Sequence, residues 1–174
     1  MVLAALVVLG VLVMLIAVVL VTGRLLPVKH QASRRVQLGQ SPQAVWDTIT
    51  DVEGLPAWRP GLMRVELLPE QAGRTRWREY DRHNKITFEV AEAIAPTRLV
   101  TRIVDPDLPF GGTWTYEIAP APDGCIVTVT EDGEVYSPLF RFVSRYVMGH
   151  TATLDRNLKA LTRRFGENAA IRGV

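Results

Sequence analysis

The chain has 174 residues, 20 of them basic and 18 acidic, for a formal net charge of +2. Four of the basic residues, Arg24, Lys29, Arg34 and Arg35, fall within one short stretch; the remainder carries 16 basic against 18 acidic residues, which excludes a nucleic-acid-binding domain built on a basic surface. Cys125 is the sole cysteine, so an intrachain disulfide and a thiolate cluster are both excluded, and His30, His83 and His150 are too scattered to suggest a metal site.

The chain opens with an uncharged, almost wholly apolar run from Met1 to Thr22. As a helix, Val2 to Thr22 measures roughly 32 Å, about the thickness of a bilayer's hydrocarbon core. A charged n-region and a small-x-small site before Arg24 are both missing, so the run reads as an uncleaved single-pass anchor, residues 1–22, rather than a signal peptide. The basic residues all follow it, which predicts a cytoplasmic C-terminal domain by the positive-inside rule and sets positive charge beside anionic lipid heads. Residues 23–33, with Gly23 and Pro27, read as a juxtamembrane linker.

A first strand is predicted at Arg34–Leu38 from its alternation. Ser41-Pro42 opens a helix, the serine as cap and the proline at the first helical position. Val45, Trp46 and Ile49 share one side of it, and Leu55–Trp58 forms a second short turn. Six strands follow at hairpin spacing: 62–68, 73–80, 85–93, 97–104, 113–118 and 125–131, an antiparallel meander. Ile86/Phe88/Val90, Leu99/Thr101/Ile103 and Trp114/Tyr116/Ile118 define one apolar face, leaving a polar face for solvent. Ser137-Pro138 caps a long final helix that reaches about Phe165, with Gly166 as its stop. Leu139, Phe142, Val143, Tyr146, Val147, His150, Leu154, Leu158, Leu161 and Phe165 make one apolar stripe along it, and Gly149 marks a candidate kink.

The order strand, two helices, six strands, long helix resembles the helix-grip fold of the START-like superfamily, which includes polyketide cyclases/dehydrases. SPQAVWDTITDVEGLPAW (41–58) resembles its opening helix pair, and GGTWTYEIAPAPDGCIVTVTEDGEV (111–135) its late hairpin. The expected fold class is therefore α+β: a curved antiparallel sheet of about seven strands wrapped on a long C-terminal helix, preceded by one transmembrane helix. The domain is assigned to residues 34–166 and a tail to 167–174. The resemblance implies a deep apolar cavity between sheet and helix that takes a hydrophobic small molecule or lipid, without a cofactor.

Trp58, Phe88, Thr101, Trp114, Tyr116, Tyr146, Gly149 and His150 are the expected cavity residues: aromatics, and positions too small or too polar to fill a gap. His150 with Tyr146 is the one pair to nominate for acid/base work, and it lacks the partner carboxylate that proton transfer usually uses. Three functions stay open: hydrophobic-ligand binding at a membrane, a polyketide cyclase/dehydrase-like enzyme, and a protein-interaction module with a filled core. Arg74, Arg76, Arg78, Arg82 and Lys85 form a basic cluster that reads as an outer sheet face salted by Glu79, Asp81 and Glu89. Asp51 at the first helix's C-terminal end opposes the macrodipole.

Overall fold

Local chemistry fixes the element ends in the computed structural model, which describes residues 1–174, with Met148 described by its backbone alone. The Ser41 hydroxyl accepts from the Ala44 N–H at 3.2 Å and opens α2 (Pro42–Thr50). Asp51 follows as its C-cap, and its carboxylate accepts from the Gly54 N–H at 3.1 Å, which gives that acid a structural role despite the macrodipole. A 3-10 turn, Leu55–Ala57, comes next.

Eight strands form one antiparallel sheet in the order β2-β3-β4-β5-β6-β7-β1-β8. They are β1 (Lys29–Leu38), β2 (Arg64–Gln71), β3 (Arg74–Tyr80), β4 (Lys85–Ile94), β5 (Arg98–Ile103), β6 (Phe110–Ala121), β7 (Gly124–Val135) and β8 (Arg172–Gly173). Strands β2 to β7 are the meander; β1 returns to pair along β7. Strands β6 and β7 run longer than the expected 113–118 and 125–131, and two other differences move residues between units. Strand β1 starts at Lys29 and so absorbs half of the supposed linker, because its ladder with β7 extends from Lys29–Glu134 to Leu38–Cys125 even where the side chains do not alternate. The tail supplies β8, which pairs with Arg34 and Arg35 of β1.

The core lies between the sheet and α4 (Ala152–Arg164). Leu154, Leu158 and Leu161 of α4 are fully buried against Val36, Leu38, Val127 and Val129 of the sheet and Val45 of α2. The polar sheet face is not simply solvated, as the alternation predicts. Thr87 and Glu89 are buried beneath arginines: Arg78 donates to Thr87, and Arg74 and Arg102 converge on Glu89 at 2.8 and 2.5 Å. Burial pushes the Glu89 carboxyl up, and the Arg102 and Arg74 bonds outweigh it, holding the carboxyl below its ordinary range. The basic cluster is in part the cover of this buried acid.

The long final helix is broken. Helix α3 (Pro138–Val143) runs into a π-helical turn, Ser144–Met148, and stops at Gly149, whose φ of +74° suits glycine alone. The helix restarts as α4. The break takes the first half of the apolar stripe off the sheet, and Leu139, Tyr146 and Val147 are exposed. That half instead packs on the end of α1 (Val2–Leu25). Val19, Leu20, Thr22, Gly23 and Leu26 form the covered side of α1, a spacing of three and four. Gly23 makes the approach close: a Cβ there would lie 2.0 Å from the Pro138 carbonyl oxygen. The Arg141 guanidinium donates to the Leu26 carbonyl at 2.7 Å and ties the two segments.

Candidate functional site

A cavity of about 700 Å³ lies between the concave sheet face, the 3-10 turn and the broken helix. The inward strand positions line it in register. Val90, Thr101 and Trp114 are successive cross-strand partners on β4, β5 and β6. Trp58, Phe88, Thr101, Trp114, Tyr116, Gly149 and His150 all line this cavity, so the structure brings seven of the eight expected residues together. Tyr146 stands apart. The π turn shifts its phase, and its side chain is exposed outside the cavity.

The cavity has two polar regions, both built partly from residues the sequence reading did not nominate. In one, Arg59 and Glu79 pair at 2.5 Å and the Trp77 indole N–H donates to Glu79 at 3.1 Å. Nearby, the Tyr116 hydroxyl donates to Asn157 of α4 at 3.2 Å, within the buried core. Burial pushes the Tyr116 phenol up to about 12, against the pull of Arg59, so it stays a neutral donor.

The other region joins β1, β7 and the helix break. Cys125, Val127, Val129 and Glu131 alternate inward along β7, which aims Glu131 into the cavity. Its Oε2 is buried with no hydrogen-bond partner among the described residues. The His30 Nε2 lies 3.6 Å from Oε1. His150 stacks on His30 with ring centroids 4.0 Å apart. Gly133, opposite His30 in the ladder, makes room: a Cβ there would come within 2.3 Å of the ring. The partner of His150 is thus His30, not Tyr146. A second cavity of about 330 Å³, lined by Leu26, Pro27 and Arg141, shares His30, Val135, Ser144 and His150 with the first, so the imidazole pair stands between the two.

Burial pushes the Glu131 carboxyl up to about 7, offset in part by the Trp114 indole N–H. Burial also lowers both imidazoles, helped by their neighbours, His150 beside His30 and Arg145 beside His150; Asp132 pulls His30 the other way. Near neutrality Glu131 is divided between its protonated and ionised forms, and the two rings are neutral. The group can donate or accept without a change in the rest of the wall.

The raised carboxyl makes a pH prediction. Above about pH 7 Glu131 is ionised in both the folded and unfolded chain, and its buried charge opposes folding. As pH falls toward the ordinary carboxyl value of 4.5, the folded chain takes the proton first and that opposition fades. Urea midpoints should therefore show the wild type gaining on Glu131→Gln from about pH 7.5 to pH 5. His30 and His150 act in the opposite sense below their ordinary 6.5 and are present in both proteins. A constant difference across this range would place Glu131 in water.

A family model described as polyketide cyclase / dehydrase and lipid transport matches residues 29–166. The chain belongs to this family. The match begins at the first residue of β1. Solved structures agree on the fold. Zhui aromatase/cyclase from Streptomyces sp. R1128 superposes with a TM-score of 0.63 at 14% identity, covering 78% of this chain and 93% of that one. Norcoclaurine synthase from Thalictrum flavum gives 0.63 at 14%, covering 81% and 88%. A START superfamily protein from Mycobacterium smegmatis gives 0.59 at 21%, covering 78% and 96%. A comparison with curated proteins gives no match. The α+β helix-grip expectation holds, with eight strands for about seven and a broken helix for a continuous one.

Proposed function

We propose that this family member is a membrane-anchored protein that binds a hydrophobic small molecule or lipid in its internal cavity. The observation that carries the reading is the cavity: about 700 Å³ walled by Phe88, Ile103, Trp114 and other apolar side chains, within the usual size of a small-molecule site. Its size counts against an interaction module with a filled core. The anchoring rests on α1, 24 residues long and apolar enough to cross a bilayer. On this placement α3 lies beside the last two turns of the anchor, at headgroup depth. Its exposed Leu139, with Tyr146 and Val147 after it, suits the acyl boundary, and Arg24, Lys29, Arg141 and Arg145 suit anionic heads. Phe140, Ser144 and Gly149 of the same segment line the cavity, so a bilayer ligand has a short way in.

A second reading, a polyketide cyclase/dehydrase-like enzyme, is favoured by the Glu131–His30–His150 group, which brings an acid and two imidazoles, the residue types proton transfer uses, to one wall of the cavity. Native mass spectrometry of the detergent-extracted full chain tests the first reading. The expected spectrum carries an adduct that Thr101→Trp loses. A bare chain in every preparation, with no uptake of an added apolar probe, would overturn it. The enzyme reading expects the released ligand to be altered on prolonged incubation and unaltered with Glu131→Gln.

A further inference from the structure

Six acidic or basic side chains line the large cavity: the carboxyl groups of Glu79, Asp81, Glu131 and Glu134, and the guanidinium groups of Arg59 and Arg156. Three of the carboxylates are engaged. Glu79 is paired with Arg59. Asp81 accepts from the backbone N–H groups of His83 and Asn84. Glu134 meets Lys29 at 3.4 Å and accepts from the Tyr136 hydroxyl at 2.9 Å. Arg156 stands exposed on α4.

Glu131 differs from the other three. Its Oε2 is out of contact with water and has no hydrogen-bond partner among the described residues. His30 is 3.6 Å from the other oxygen, beyond hydrogen-bond length, and the Trp114 indole N–H favours the ionised carboxyl only in part. The Glu131 side chain as a whole is 22% exposed, so a donor in the cavity can approach the carboxylate from its open side, and an under-partnered carboxylate in this setting is costly unless one does. An anionic ligand would add repulsion, and a carbonyl would add a second acceptor. An alcohol brings one donor. An ammonium brings three donors and the opposite charge. The surroundings favour the cation. Trp114 is the cross-strand partner of Glu131, and the stacked Phe110–Phe140 pair lines the same cavity. The groups facing Glu131 from its neighbours are His30 on β1, Trp114 on β6 and His150 after the π turn, and none brings a full positive charge near neutrality.

We propose that the Glu131 region is a binding site for a protonated amine, and that the ligand class is an amphiphile with an ammonium head at Glu131 and an apolar body along Phe88, Thr101 and Tyr116. This rests on the cavity reading above and narrows it from hydrophobic molecules in general to cationic amphiphiles. Binding requires Glu131 to be ionised. Because the free carboxyl is about half protonated at pH 7, amine binding releases a fraction of a proton.

The test is calorimetric titration of the full chain in detergent with three probes of equal body: 4-phenylbutylamine, 4-phenylbutanol and 5-phenylvalerate. At pH 7 the amine should bind about ten-fold tighter than the alcohol, and the carboxylate weakest. The heat of amine binding should depend on the buffer's ionisation enthalpy, reporting the released proton. At pH 5, where Glu131 is protonated, the amine's advantage should shrink in the unaltered protein. Glu131→Gln should remove the amine's advantage over the alcohol, both measured in the variant, and abolish the released proton. An amine that binds no better than the alcohol, or whose advantage survives in Glu131→Gln, overturns the proposal and leaves the hydrophobic cavity standing. Failure of all three probes to bind overturns both.

Discussion

Leu154→Ala is expected to lower the stability of the folded chain by roughly 2–5 kcal/mol, the usual loss for a leucine truncated in a packed core. Leu154 is fully buried and belongs to the same core cluster as Leu158, Leu161, Val36 and Val127. Its place follows from the helix break. Gly149 ends the previous segment, and Leu154 is the first fully buried side chain of α4. The removed side chain would leave a void against the sheet rather than space that water fills. Leu139 serves as the control, because it was read on the same stripe yet is 52% exposed; Leu139→Ala should change the urea midpoint little. Equal effects at the two positions would mean that the stripe is not divided at Gly149.

Thr101→Trp is expected to abolish binding of a neutral apolar probe such as 4-phenylbutanol, while the circular dichroism of the folded chain stays unchanged. Thr101 sits mid-strand on β5, between Val90 and Trp114 in the ladder, and faces the cavity. An indole there enters open space rather than close-packed atoms, so the overpacking penalty usual in a core should be small. Its bulk would occupy the middle of the cavity, between the Arg59–Glu79 and Glu131–His30 regions. Probe binding at wild-type strength in a folded Thr101→Trp protein would place the binding surface elsewhere.

Much of the scaffold was legible because it depends on short-range chemistry. Ser41-Pro42 and Ser137-Pro138 mark real helix starts, with each serine hydroxyl capping an N–H. The period-two alternation of Ile86/Phe88/Val90 and Leu99/Thr101/Ile103 identified the cavity face. What was missed depends on long-range pairing. His30 lay in an apparent linker because Lys29–Ser33 has no alternation; its strand is imposed by β7. The sequence does carry a signal for Glu131: it is in phase with Cys125, Val127 and Val129, an acid on a buried face. Tyr146 and Val147 fit a 3.6-residue period, and the π turn adds the residue that throws them off it. Thr87 and Glu89 fit an outward polar face, but alternation says nothing of arginines from adjacent strands folding over them.

The contact between Gly23 and Pro138, with the Arg141 tie to Leu26, joins α1 to the domain as a mast is stepped in a hull rather than as a buoy on a line. On the proposed placement of α1 in a bilayer, the domain cannot swivel freely or travel between two membranes. With the proposed bilayer ligand, a protein held this way would be a stationary receiver, meeting its ligand by two-dimensional diffusion within a single leaflet.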